Sequence, residues 1–95
     1  MTKISEKKIE RIKEEILSIL FHLTPKTAFI SNISDELARD EEFIKRLLLD
    51  MEKCGLVVGV RKNPDGILYQ KRIRWRLADK TFRAYRELHQ KNNLI

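Results

Sequence analysis

The chain has 95 residues, of which 42% are hydrophobic and 36% charged, and its net charge at pH 7 is +6. This length allows one domain with a modest core, and the composition is typical of a globular protein. No apolar run approaches the roughly 20 residues that span a bilayer, and the first residues lack the apolar region of a secretory signal. We therefore expect a cytoplasmic protein, and the single cysteine excludes an intramolecular disulfide.

The first predicted helix spans residues 5–23. Apolar residues recur there every three or four positions, which is typical of an amphipathic helix. Ser5 is expected to cap the N-terminus. Thr24-Pro25 is expected to end the helix, because the residue before a proline avoids the helical conformation. A short extended piece should follow at residues 28–30.

Three more helices are predicted, at residues 31–38, 41–54 and 79–91. Their N-caps are expected to be Ser31, Asp40 and Asp79, and Gly55 is suited to end the third helix in the left-handed conformation. Cys54 is expected to be buried beside the core face of the third helix. Four apolar residues define that face: Ile44, Leu47, Leu48 and Met51.

Residues 56–77 predict a β-hairpin that closes at Asn63-Pro64-Asp65-Gly66, a sequence suited to a type I turn. The hairpin has six basic residues and one acidic residue, whereas residues 25–55 have five basic and seven acidic ones. Positive charge gathered on one short segment indicates a polyanionic partner. In the second strand Trp75 has the parity of the apolar residues, so we expect it in the core rather than stacked on a nucleic-acid base.

This order of helices and strands resembles the winged helix-turn-helix family. The resemblance extends over nearly the whole chain, and three stretches carry it: Ile33-Ser34-x-x-Leu37-Ala38 with the apolar positions of the third helix, Gly55-Leu56-Val57, and Trp75-Arg76-Leu77-Ala78-Asp79-Lys80. It implies an α+β fold with a three-helix core, a two-stranded β-hairpin wing and a C-terminal helix. Ala38 stands where many members have glycine in the turn between the second and third helices.

The resemblance implies a small prokaryotic, archaeal-type transcription regulator that binds double-stranded DNA. In this family the third helix enters the major groove and the wing lies on the backbone or in the minor groove, while a minority of members bind proteins or RNA. The third helix departs from the usual pattern because it begins with three acidic residues, Asp40-Glu41-Glu42.

The outward face of the third helix follows from about 100° per residue. Arg46 is placed to pair with guanine and Leu49 to touch a thymine methyl group, although a solvated amphipathic face explains the same pattern. The candidate DNA-binding residues of this helix are Glu42, Lys45, Arg46, Leu49 and Lys53.

Basic side chains of the wing are candidates for phosphate contacts: Arg61, Lys62, Lys71, Arg72 and Arg74. The alternative is a charged edge strand that prevents aggregation. Further phosphate contacts are predicted at the start of the second helix, from Lys26, Ser31 and Asn32, where helix capping is an equally good interpretation.

A homodimer interface is the preferred interpretation of surplus apolar residues on the first and last helices: Leu17, Phe21, Phe82, Tyr85 and Leu88. Such a dimer would present two recognition helices to a palindromic site. The alternative is that the two helices pack on each other within one chain.

No catalytic arrangement, cofactor or small-molecule effector is indicated by the sequence. His22 and His89 are far apart along the chain, so we expect no metal site. Two other functions remain open. One is a protein-interaction module that uses Leu49 and the acidic start of the third helix, and the other is an RNA or single-strand binder that uses Tyr69 and the basic wing.

Overall fold

The computed structural model of the chain describes residues 5–61 and 73–92. The predicted α+β architecture of helices and a two-stranded antiparallel sheet is confirmed. Its elements follow in the order α1 (Glu6–Leu23), α2 (Ile30–Leu37), α3 (Glu41–Lys53), β1 (Val57–Val60), β2 (Arg74–Leu77) and α4 (Asp79–Asn92).

Local side-chain hydrogen bonds define two of the helix starts. The Ser5 hydroxyl accepts the Lys8 backbone N–H at 3.3 Å, and the Asp40 carboxylate accepts that of Phe43 at 3.3 Å. Gly55 follows α3 with φ of 76°, the left-handed conformation that glycine adopts without a steric penalty. These three predictions are confirmed.

Two predicted N-caps are wrong. α2 begins at Ile30 with Phe29 as its N-cap, so Ser31 lies inside the first turn and Ile30 is helical rather than extended. Instead, the Asn32 side-chain oxygen reaches back to accept the Phe29 N–H at 3.1 Å. α4 begins at Asp79 itself, which places this acid in the first turn, where the helix dipole favours it.

The sheet joins the helical part of the chain through Trp75. In the β1–β2 ladder Gly59 pairs with Trp75 and Val57 with Leu77. Trp75 also exchanges two backbone hydrogen bonds, of 2.8 and 3.0 Å, with Ala28 in the connection between α1 and α2. The predicted extended piece is therefore a single bridged residue, and it fixes β2 against the helices.

One core lies between α1, α2, α3 and the sheet. Trp75 is fully buried, as its strand parity predicted, and the core face of α3 is buried as expected. Cys54 is exposed, contrary to expectation, because it is the C-cap where the chain turns away from α3. The buried apolar residues are Ile12, Ile16, Leu17, Leu20, Ala28, Ile33, Ile44, Leu47, Leu48, Met51, Val57, Trp75 and Leu77.

Ala38 adopts the left-handed conformation, with φ of 53°, in the turn between α2 and α3. The Arg39 N–H donates to the Ser34 carbonyl at 3.0 Å and closes this turn. A residue with a Cβ atom loses roughly 1 kcal/mol in this conformation. Ala38 thus occupies the position in the turn where many members of the winged helix-turn-helix family have glycine.

Replacing Ala38 with glycine should raise the free energy of unfolding by about 0.5–1 kcal/mol, because glycine removes the left-handed strain. Urea denaturation followed by Trp75 fluorescence measures the change. The matched control is Ala84→Gly on the exposed face of α4, which should lower the free energy of unfolding by about 1 kcal/mol. Loss of stability in both variants would contradict the strain at Ala38.

Candidate nucleic-acid interface

The outward face of α3 is basic at three positions. Because the opposite face of the helix is buried in the core, Lys45, Arg46 and Lys53 point to solvent, and Glu42 is exposed on the same side. Leu49 is only half-exposed and packs against the core, so it offers less surface than the sequence predicted. The structure thus brings together three cations and Glu42 on a helix face of a size that fits a major groove, and the exposed Asp50 lies at the edge of that face, one turn after Arg46.

The acidic start of α3 serves the helix itself. Asp40 uses its carboxylate as the N-cap, and Glu41 and Glu42 occupy the first turn, where the helix dipole favours negative charge. These acids therefore have a local structural explanation that does not require a protein partner.

The base of the wing is fixed to α3 by an ion pair between Glu52 and Arg61. Arg61 donates Nη1 to Glu52 Oε2 at 2.8 Å and Nη2 to Glu52 Oε1 at 2.9 Å, and the Gly59 N–H donates to the same Oε2 at 3.1 Å. The guanidinium carbon lies 5.7 Å from the centroid of the Trp75 ring. Hydrogen bonding to Arg61 is the main reason why the pKa of Glu52 is lowered, and the same bonds raise the pKa of Arg61.

This ion pair changes the interpretation of Arg61, which the sequence predicted as a phosphate contact. Its guanidinium is engaged by a carboxylate of the same chain, so its positive charge is compensated. No local pattern in the sequence indicates this pairing, because Glu52 and Arg61 lie nine residues apart and meet only through the fold.

The other predicted wing residues divide into two groups. Arg74 is exposed on β2, whereas Lys62, Lys71, Arg72, Tyr69 and the predicted turn at residues 63–66 lie outside the described residues. Next to Arg74 on the strand, Arg76 donates to the Leu77 carbonyl at 3.1 Å and lies 3.6 Å from Asp79.

At the start of α2, Lys26, Ser31 and Asn32 are all exposed. The Asn32 amide oxygen is engaged as a cap for the Phe29 N–H, in line with the capping interpretation. A phosphate here would meet the backbone N–H groups at the helix start and the exposed Ser31.

The predicted dimer residues mostly pack within the chain. Leu17 belongs to the core, with 9% exposure, which makes it unsuitable for a dimer interface. The Phe21 ring lies 5.4 Å from Phe82 and 5.6 Å from Tyr85, between centroids, so α1 and α4 do pack on each other. Leu88 alone among the five is well exposed, at 57%.

The sequence analysis also missed the approach of two histidines. The rings of His22 and His89 lie 5.8 Å apart, between centroids, because α1 and α4 end side by side. Over residues 5–61 and 73–92, no group of three or more His, Cys, Asp or Glu side chains is arranged to hold a metal ion. Within that same part of the chain, no helix is both long and apolar enough to cross a membrane.

No protein-family model and no curated protein sequence matches the chain. Solved structures do resemble it. An apo form of a ZitR variant from Lactococcus lactis aligns with a TM-score of 0.66 and 16% identity over 93% of this chain and 63% of that one. A MepR variant from S. aureus aligns with a TM-score of 0.62 and 15% identity over 90% of this chain and 68% of that one.

A third similar structure is FabT from Streptococcus pneumoniae in complex with DNA. It aligns with a TM-score of 0.57 and 19% identity over 94% of this chain and 54% of that one. ZitR has been described as a zinc-responsive MarR family member. These likenesses establish the winged helix-turn-helix fold. The chain spans between about half and two thirds of the length of most of these structures.

The ion pair between Glu52 and Arg61 should make stability depend on pH. The folded chain lowers the pKa of Glu52 below its ordinary value of 4.5, so the contribution is present above that pH and is lost as the pH falls through the lowered pKa. Glu52→Gln should therefore cost about 0.5–1 kcal/mol near neutral pH and much less in acid. Urea denaturation of both proteins at about pH 7 and about pH 3 measures the difference. A cost that is equal at both pH values would contradict the role of this carboxylate.

Proposed function

We propose that the chain binds double-stranded DNA and regulates transcription, with α3 in the major groove and the wing on the phosphate backbone. The observation that carries this proposal is the outward face of α3, where Lys45, Arg46 and Lys53 are exposed. The sequence of the hairpin, with six basic residues and one acidic residue, supports it. The winged helix-turn-helix fold supports it, since FabT and a ZitR variant of the same fold have been solved in complex with DNA. These complexes also favour a binding protein over an enzyme, as the sequence predicted.

The residues of α3 and of the wing have different roles in this proposal. Arg46 reads guanine through a bidentate pair, and Lys45 and Lys53 add contacts to base edges or phosphates, with Glu42 and the half-buried Leu49 on the same face. Phosphate contacts come from the wing and the start of α2 and supply affinity without sequence information: Lys62, Lys71, Arg72, Arg74, Lys26, Ser31 and Asn32.

The proposal includes a cytoplasmic homodimer of the archaeal-type regulator that the sequence resembles. Leu88 is exposed, and the half-buried Phe82 and Tyr85 lie on the same helix, so α4 offers the apolar surface for a two-fold contact. Analytical ultracentrifugation with and without duplex DNA tests this part. No small-molecule effector is proposed.

The two other functions find less support in the described residues. A single-strand binder needs exposed aromatic rings; Trp75 is fully buried, and Tyr69, on which this alternative depends, lies outside the described residues. A protein-interaction module would use Leu49 and the acidic start of α3, but Leu49 packs against the core and Asp40 caps the helix.

Duplex DNA labelled with a fluorophore should show micromolar or tighter binding that weakens steeply as salt rises, because the contacts release counterions from phosphates. Fluorescence anisotropy at several salt concentrations measures this dependence, and single-stranded DNA of the same length is the control. Absence of duplex binding even at low salt would exclude the proposed function.

Arg46→Ala should reduce the preference for one sequence over others, because Arg46 is assigned to a base edge, at a cost of about 1–3 kcal/mol on the preferred site. The matched variant is Arg72→Ala in the wing, which should weaken binding to all sequences alike and lower the salt slope by about 1. Competition binding with selected and random duplexes compares them. Equal losses on every sequence for Arg46→Ala would rule out its role in base recognition.

A further inference from the structure

We propose that Glu52 is a positioning residue for DNA binding, whose carboxylate holds the base of the wing at a fixed angle to α3 through Arg61 and Gly59. This inference rests on the proposed function, since it concerns how the two parts of the interface are held together. It gives an acid on the proposed recognition helix a role that favours DNA binding.

The Glu52 carboxylate accepts three hydrogen bonds from groups in and just after β1. Two come from the Arg61 guanidinium, at 2.8 and 2.9 Å, and the third comes from the Gly59 backbone N–H, at 3.1 Å. Bidentate pairing fixes the direction as well as the distance between two groups, because both parallel bonds must be kept. α3 and the end of β1 are therefore joined in one orientation.

Arg61 extends this connection across the sheet. Its Nη1 also donates to the Gly59 carbonyl at 3.2 Å, and its guanidinium lies over the Trp75 ring. Gly59 and Trp75 are partners in the ladder, and the chain leaves β1 at Arg61 and re-enters the described structure at Ile73. The ion pair thus sits where both strands of the hairpin enter the body of the protein.

Gly59 makes this close approach possible. A Cβ atom at this position would lie 3.0 Å from Arg61 Nη1 and 3.0 Å from a Trp75 ring carbon. Such contacts are tighter than side chains normally tolerate, so a larger residue would displace the guanidinium or the ring. The glycine, the arginine and the carboxylate therefore form one unit, which we call the wing clamp (Glu52, Gly59 and Arg61).

The wing clamp strengthens binding because it reduces the conformational freedom that the wing loses when the protein binds DNA. Contacts from α3 and from the wing add fully only if both fit the duplex at once, and a wing free to change its angle loses that freedom on binding. Because the clamp already fixes the angle of the wing in the free protein, this loss of freedom does not occur on binding. Because Arg61 neutralises Glu52, the acid also adds little repulsion toward phosphates.

A simple charge argument predicts the opposite effect of mutation. If Glu52 acted only through its negative charge, Glu52→Gln would make the protein more cationic and strengthen duplex binding. If the wing clamp positions the wing, the same change weakens binding. Asp50→Asn is the matched control, because Asp50 is exposed on the same helix and its replacement removes the same charge without touching the clamp.

The experiment measures duplex affinity of the full chain by fluorescence anisotropy, well below the unfolding temperature of each variant. Circular dichroism melts establish that the variants are folded, so a loss of stability alone does not change the measured affinity. We expect Glu52→Gln to bind about tenfold more weakly than the wild type and Asp50→Asn to bind at least as tightly as the wild type.

Variants of Arg61 complete the test. Arg61→Gln should lower the affinity by a similar factor, and the double variant with Glu52→Gln should be no weaker than either single variant, because both changes break the same clamp. Arg61→Lys should bind with intermediate affinity, since lysine keeps the charge but not the bidentate geometry.

Two results would overturn the inference while leaving DNA binding intact. One is unchanged or tighter binding by Glu52→Gln, and the other is additive loss in the double variant. The second would assign Arg61 directly to a phosphate. Failure of the wild type to bind duplex DNA at low salt is a different result, which would overturn the proposed function and this inference with it.

Discussion

Burial of Trp75 is the constraint on which the rest of the structure depends. The ring is fully buried, its backbone pairs with Ala28 from the α1–α2 connection, and its partner across the sheet is Gly59. Each contact involves a different part of the chain, so one residue, through its ring and its backbone, joins the helices and the hairpin in a single core. The base of the wing is therefore part of the folded body. The Arg61 guanidinium lies over the Trp75 ring at the point where the chain leaves β1.

Two acidic residues at the ends of α3 have roles within the chain. Asp40 is used as a cap, and Glu52 is paired with Arg61. Lys45, Arg46 and Lys53 are exposed on the helix, and so are Glu41, Glu42 and Asp50. The positions of these charges around the helix, and not their sum, therefore decide the potential of the outward face, because charge counting cannot distinguish a paired carboxylate from an exposed one.

Local patterns in the sequence were sufficient to predict most of the fold. Helical periodicity, the caps at Ser5 and Asp40 and the strand parity of Trp75 depend on neighbouring residues, and the structure agrees with them. The errors have two origins. The α2 start is set locally, because Asn32 accepts the Phe29 N–H three residues before it, and the sequence analysis assigned the cap to Ser31 instead. The partner of Arg61 depends on how β1 packs against α3, and sequence spacing contains no information on that contact.

Packing between α1 and α4 limits what a dimer can use. Phe21 packs against Phe82, Tyr85 and His89 of the same chain, and Leu17 lies in the core. Much of the apolar surface of these residues is therefore already covered within one chain. A stable interface buries about 800 Å² per partner, far more than the exposed part of Leu88. A contact between two copies that is centred on Leu88 would therefore include polar residues of α4 as well. Such an interface is typical of weak association, and adjacent half-sites on DNA would strengthen it by raising the local concentration of the second copy.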